Sequence, residues 1–136
     1  MIYITRRERF CSAHKLVNPE WDAAKNLEVF GPCSNENWHG HNFVLYVTVK
    51  GEVSPETGFV VNLKDLSPVI KEKVIDKLDH KNINIDVDFM QGKMASTEVL
   101  AIEIWKQLEA PVKVMGVALH CVKIQETENN FVEYFG

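Results

Sequence analysis

A chain of 136 residues, 46% apolar and 25% charged, has the composition of an ordered globular protein and the length for one core, so a single domain over residues 1–136 is expected. The formal charge of -4 and pI near 5.7 argue against a nucleic-acid partner, and the short cluster Arg6, Arg7 and Arg9 does not reverse them. The N-terminal MIYITRRERF is charged where a signal peptide needs an apolar run, and no apolar stretch reaches the roughly 20 residues that span a bilayer, so a cytoplasmic protein with no membrane partner is expected.

Residues 2–16 fit a long strand on which Phe10, Ser12 and His14 share a face. Residues 17–38, with Pro19, Gly31, Pro32 and several asparagines, read as a long loop with room for a helical turn at PEWDAAKNL, and loops of this length are often functional. HNFVLYVTVKGEV alternates: His39, His41, Phe43, Leu45, Val47 and Val49 lie on one side of a strand, and Val44, Tyr46, Thr48 and Lys50 on the other. Asn62, followed by Asp65, reads as the N-cap of a helix from about Leu63 to Lys77, with Leu63, Leu66, Ile70, Val74 and Leu78 as its apolar stripe. A second helix opens at Ser96, buries Leu100, Ile104 and Leu108, and is expected to stop at Pro111. VKVMGVALHCVKIQET then reads as a strand, with a turn at ENN leading into a last strand, FVEYF.

The order is strand, strand, helix, helix, strand, strand, an α+β pattern that predicts a four-stranded antiparallel sheet with both helices on one face. The other face then requires cover, which a second subunit would supply.

Three cysteines, Cys11, Cys33 and Cys121, form neither a disulfide framework nor a CxxC ribbon and are expected to be reduced, with Cys11 and Cys121 behaving as small buried hydrophobes. His39 and His41 flank Gly40 on one side of a strand, so two imidazoles grip from one direction. His14, on the first strand, is the obvious third ligand, and three histidines leave an open position of the kind catalytic zinc keeps. Cys33 is then either a fourth ligand closing a structural site or a base standing beside the metal. As a base it needs an activating partner, because an ordinary thiol with a pKa of about 8.5 is mostly protonated at neutral pH. His80, preceded by Asp79, is a candidate partner, and equally a cation at a helix C-terminus. His120 reads as a structural histidine on the same face as Val122, Ile124 and Glu126.

FCSAHKL, CSNENWHGHNF, GFVVNLKDL, LDHKNIN, STEVLAIEIW and IQETENNFVEY, in that order, resemble the family of 6-pyruvoyl-tetrahydropterin synthases and the 6-carboxy-tetrahydropterin synthases of queuosine and other deazapurine biosynthesis. The resemblance implies the tunnelling fold, in which three subunits close their sheets into a barrel and two trimers stack into a homohexamer. It implies that His14, His39 and His41 bind Zn2+, that Cys33 is the general base tuned by His80 and Asp79, in places across a subunit boundary, and that Glu126 anchors the pterin. Thr97 and Glu98 resemble the family's segment beside that pocket; their other reading is helix capping.

The implied reaction is that of a carbon–oxygen lyase of tetrahydrobiopterin biosynthesis, converting 7,8-dihydroneopterin triphosphate to 6-pyruvoyl-tetrahydropterin with loss of triphosphate. The alternatives are the 6-carboxy enzyme and a non-catalytic pterin- or zinc-binding module. Five residues separate Cys33 from His39, as in the pyruvoyl enzymes, whereas the carboxy enzymes typically have three. Glu36 reads as a solvated loop residue, and Lys15 stands where many relatives carry arginine.

Overall fold

The computed structural model describes residues Met1 to Gly136. Strand β1 (Ile2–His14) pairs antiparallel with β2 (His39–Gly51) along its whole length, from Ile2 opposite Gly51 to His14 opposite His39. Between them lies the predicted loop, which folds a helix, α1 (Ala23–Phe30), from the stretch assigned a turn. Asp22 caps it, its carboxylate accepting the Lys25 N–H at 2.8 Å, and a short 3-10 turn follows at Gly31–Ser34. Strands β4 (Ala118–Thr127) and β5 (Asn130–Tyr134) extend the sheet beyond β2.

The sheet has five strands rather than four, in the order β3-β1-β2-β4-β5. The additional strand, β3, is only Lys81–Asn82 and runs parallel to β1 beside Ser12 and Ala13. Two residues are too few to show the alternation by which strands are read from sequence, and their pairing comes entirely from β1.

The first predicted helix begins as expected, Asn62 Oδ1 accepting the Lys64 N–H at 3.0 Å, but is continuous only by changing type. α2 (Leu63–Ile70) passes through a π-helical segment at Lys71–Ile75 into a last turn, α3 (Asp76–Leu78). Leu66, Ile70, Val74 and Leu78 are buried as the stripe requires, while Leu63 is largely exposed on the first turn. The second helix, α4 (Thr97–Val114), is capped by Ser96 and runs through Pro111. That proline lies in the final turn, where only one ladder N–H is lost, and Val112 beyond it is fully buried; the following strand accordingly starts at Ala118 instead of near Val112.

Phe10, Phe43, Leu45, Val47, Val49, Val122 and Ile124 on one face of the sheet join the apolar stripes of α2 and α4 in one core. Phe10 and Phe43 stack at 4.9 Å between ring centres just below the histidine end of the strands. The opposite face holds Thr5, hydrogen-bonded to Thr48 at 2.8 Å, with the exposed Arg7, Arg9 and Cys11. Cys11 is therefore exposed rather than a buried hydrophobe, because odd positions of β1 point away from the helices; Cys121 is buried as expected. A bulge in β4 opposite Thr48 and Val49 changes the side-chain parity. His120 consequently leaves the face of Val122 and packs on Tyr3, 4.5 Å between ring centres. No helix is long and apolar enough to cross a membrane.

Leu45 sits at the centre of the core with no solvent exposure. Leu45→Ala should cost about 2–5 kcal/mol, read as a lower denaturation midpoint in urea at unchanged slope.

Candidate active site

His14 and His39 are the last opposed pair of the β1–β2 ladder, and His41 is two residues further along β2, on the same face. Their ring centres lie 4.5 Å (His14–His39), 5.3 Å (His14–His41) and 4.9 Å (His39–His41) apart. One nitrogen of each ring lies within 4.8 Å of the others'. His14 Nε2, His39 Nδ1 and His41 Nε2 are all buried without a hydrogen-bond partner. Unpaired buried polar atoms are costly, and three converging on one point fit a metal ion that would accept all three lone pairs.

His14 Nδ1 lies 2.7 Å from the Ala95 carbonyl, which can only accept, so the proton sits on Nδ1 and Nε2 is left free as a donor to metal. Burial holds all three imidazoles below the ordinary histidine value of 6.5, with neighbouring imidazoles adding to the depression and Glu126 opposing it. The neutral form needed for metal binding is thereby favoured.

His14 and His39 open onto a cleft of about 350 Å³ whose walls also include Cys33, Thr97, Glu98 and Glu126. Glu126 comes from the end of β4, and its two carboxylate oxygens stand 3.9 Å from His14 Nε2 and 3.9 Å from His41 Nε2. Thr97 Oγ1 donates a hydrogen bond to the same carboxylate. Thr97 is thus buried and orients Glu126, while the capping role belongs to Ser96, whose hydroxyl accepts the Val99 N–H at 3.3 Å. Glu98 is exposed at the mouth. Cys33 lies in the 3-10 turn after α1, half-buried, its carbonyl accepting the Leu16 N–H at 2.8 Å.

Asp79 and His80 stand elsewhere in this chain. They follow α3 and border the opposite side of the sheet with Cys11 and Gly40. Main-chain atoms of Cys11 clamp the pair, its N–H donating to Asp79 Oδ1 at 2.8 Å and its carbonyl accepting from His80 N at 2.7 Å. His80 takes a left-handed backbone conformation with φ 58° and holds its imidazole 2.9 Å from the Asp79 carboxylate, with its side chain 83% exposed. The Cys11 N–H, and then the contact with His80, lower the Asp79 pKa. Within one chain, then, Cys33 shares a cleft with His14 and His39, and the Asp79–His80 pair does not.

Glu36 is exposed on the loop, and the Lys15 ammonium sits 4.2 Å from the centre of the Trp38 ring. Sequence reasoning missed the Ala95 carbonyl. A buried histidine ligand demands an acceptor on its second nitrogen, but a main-chain carbonyl 81 residues away carries no residue-type signal.

A family model described as 6-pyruvoyl tetrahydropterin synthase matches residues 3–136. The chain belongs to this family. A 6-pyruvoyl tetrahydrobiopterin synthase of Dictyostelium discoideum is 45% identical over 135 residues, covering 99% of this chain and 96% of its own. A solved structure of the Caenorhabditis elegans 6-pyruvoyl tetrahydropterin synthase superposes with a TM-score of 0.92 at 35% identity, covering 99% of this chain and 95% of that one. A 6-carboxy-5,6,7,8-tetrahydropterin synthase of Bacillus subtilis is more distant, 30% identical over 79% of this chain and 73% of its own.

His39→Ala should abolish stoichiometric metal binding, measured by elemental analysis of the purified protein; full occupancy in that variant would remove the three-histidine assignment. For the metal-free protein the sign follows from the lowered pKa values: below the ordinary value of 6.5 the unfolded chain binds more protons at these sites than the folded one. Stability is therefore full above that value and falls as pH drops from it through the lowered values, so melting temperature should decline as pH falls below about 6.5, and less so in His39→Gln.

Proposed function

We propose that the protein is a zinc-dependent lyase that converts 7,8-dihydroneopterin triphosphate to 6-pyruvoyl-tetrahydropterin with loss of triphosphate. The observation that carries this reading is the convergence of three unpartnered histidine nitrogens beside a carboxylate held by Thr97, with Cys33 in the same cleft. The sequence likeness to proteins named as pyruvoyl synthases supports it.

His14, His39 and His41 would hold the zinc, which would supply Lewis acidity toward the side-chain hydroxyls of the substrate. The chain's own groups do the rest. Glu126 accepts the paired N–H donors on the pterin's amino-pyrimidinone edge in the two-pronged manner of a carboxylate facing a guanidinium, with Thr97 fixing the carboxylate plane. Glu98, at the cleft mouth, borders the same substrate edge. That anchoring puts the substrate side chain over the histidines, where the Cys33 thiolate takes the carbon-bound proton. After triphosphate leaves, the remaining side-chain carbinol is oxidised to a ketone while the dihydropterin ring takes up the same two electrons and two protons to reach the tetrahydro level, so no external redox cofactor enters.

The exposed Asp79–His80 pair, being remote from this chain's own Cys33, is proposed to serve the thiol of a neighbouring copy, activating it and passing its proton to solvent. That role requires assembly, and we infer a homohexamer of two stacked trimers with sheets joined into a barrel, located in the cytoplasm and engaging no nucleic acid.

The test is incubation of the zinc-loaded protein with 7,8-dihydroneopterin triphosphate and identification of the product by mass spectrometry. The pyruvoyl product is expected; a 6-carboxy or 6-hydroxymethyl product, or no turnover with zinc bound, overturns the reading. Cys33→Ala should lower kcat by at least about 100-fold, the scale of a lost general base, with zinc still near one per chain. Loss of zinc in that variant would make Cys33 a ligand instead.

A further inference from the structure

The loop that carries Cys33 is fastened to the molecule at very few points. Inside Gly31–Trp38 the hydrogen bonds are local: Asn35 N–H to the Pro32 carbonyl at 3.2 Å, Trp38 N–H to the Asn35 carbonyl at 3.1 Å, and Ser34 Oγ to the Gly31 carbonyl at 2.9 Å. At its start, the Gly31 N–H closes α1 on the Leu27 carbonyl. One hydrogen bond leaves for another part of the fold, from Leu16 N–H to the Cys33 carbonyl at 2.8 Å. The second tether is the Lys15 ammonium, 4.2 Å from the centre of the ring of Trp38, the residue before His39. Both tethers start from the dipeptide Lys15–Leu16.

That dipeptide lies past the last rung of the β1–β2 ladder, which ends at His14 opposite His39. Asn84 takes over where the ladder stops. Its Oδ1 accepts the Lys15 N–H at 3.1 Å and its Nδ2 donates to the Lys15 carbonyl at 3.0 Å. The side-chain amide thereby supplies both bonds that a paired strand residue would make, prolonging the parallel alignment of β3 with β1 after the Ile83 N–H has donated to Ala13 at 2.8 Å. Asn84 is itself fixed, its own N–H donating to Asn82 Oδ1 at 3.0 Å.

We propose that Asn84 is a positioning residue for Cys33: its side-chain amide clamps Lys15, and through Leu16 N–H and the Lys15–Trp38 contact sets the thiol's place relative to His14 and His39. His14 does not depend on this clamp, because the ladder and the Ala95 carbonyl hold it. The substrate anchor does not depend on it either, because Glu126 is oriented from α4. Loss of the clamp should therefore separate proton abstraction from metal and substrate binding. The inference rests on the reading of Cys33 as the base only for its kinetic consequence; the tether itself is testable without turnover.

The test compares wild type, Asn84→Ala and Asn84→Asp as zinc-loaded proteins. Asn84→Asp keeps the acceptor for the Lys15 N–H and lacks the donor to its carbonyl, so it isolates half of the clamp if Asn84→Ala does not fold. Zinc content and KM should stay within about twofold of wild type while kcat falls by about 10- to 100-fold, since displacement of a reacting group by about 1 Å costs on that order. Alkylation of Cys33 by iodoacetamide, followed by peptide mass spectrometry with exposed Cys11 as internal reference, should quicken several-fold in Asn84→Ala and less in Asn84→Asp. An unchanged ratio of Cys33 to Cys11 alkylation overturns the proposal, and so does a joint fall of kcat and zinc content, which would assign Asn84 to His14. If wild type shows no turnover, the proposed reaction fails, and the alkylation ratio still decides the tether.

Discussion

The rest of the structure depends on the register of β1 against β2. Thirteen residues of each strand are paired without a bulge, so the terminal rung, His14 opposite His39, is fixed by every rung before it. A slip of β2 by one residue against β1 would turn His39 and His41 to the other face together with Phe43, Leu45 and Val47, and the buried apolar side chains make that slip prohibitive. The same burial that selects the register depresses the imidazole pKa values. Core packing and readiness for metal thus have one cause.

Everything else in the cleft is brought to that rung from a distance. The turn before α4 delivers the Ala95 carbonyl to His14, and the first residue of the helix delivers Thr97 to Glu126 at the end of β4. Ser12 Oγ, two residues before the first histidine, donates to the Leu78 carbonyl at 2.5 Å and so ties the end of α3 to the same strand. These links are short and polar, and each satisfies a group that would otherwise be buried unpaired. Hydrogen bonds between distant elements thus tie the helix and sheet sides of the cleft, and one main-chain hydrogen bond, from Leu16 to Cys33, ties the loop that carries the thiol.

The two sides of the sheet divide the chemistry. One carries the histidines, Glu126 and Cys33; the other carries Asp79 and His80, bracketed by the main chain of Cys11. A solvent-facing imidazole in a left-handed backbone conformation, held by the carboxylate of Asp79 beside it, carries a backbone cost of about 1–3 kcal/mol.

Much of this was legible in the residues. Alternation from His39 to Val49 established a strand and the facing of its two histidines, and the asparagine and serine caps located both long helices at their first residues. What failed did so for physical reasons: Pro111 is tolerated because it falls in a last turn, β3 is too short to have a period, and a bulge reversed the parity that had put His120 beside Glu126. The sequence by itself determined the candidate ligand types, the common face of His39 and His41 and the spacing between thiol and histidines, because side-chain periodicity is a local property of the backbone. The acceptor for His14, the hold of Thr97 on Glu126, the separation of His80 from Cys33 and the clamp of Asn84 on Lys15 were decided only by tertiary structure. Each of them joins groups whose proximity depends on how distant elements pack.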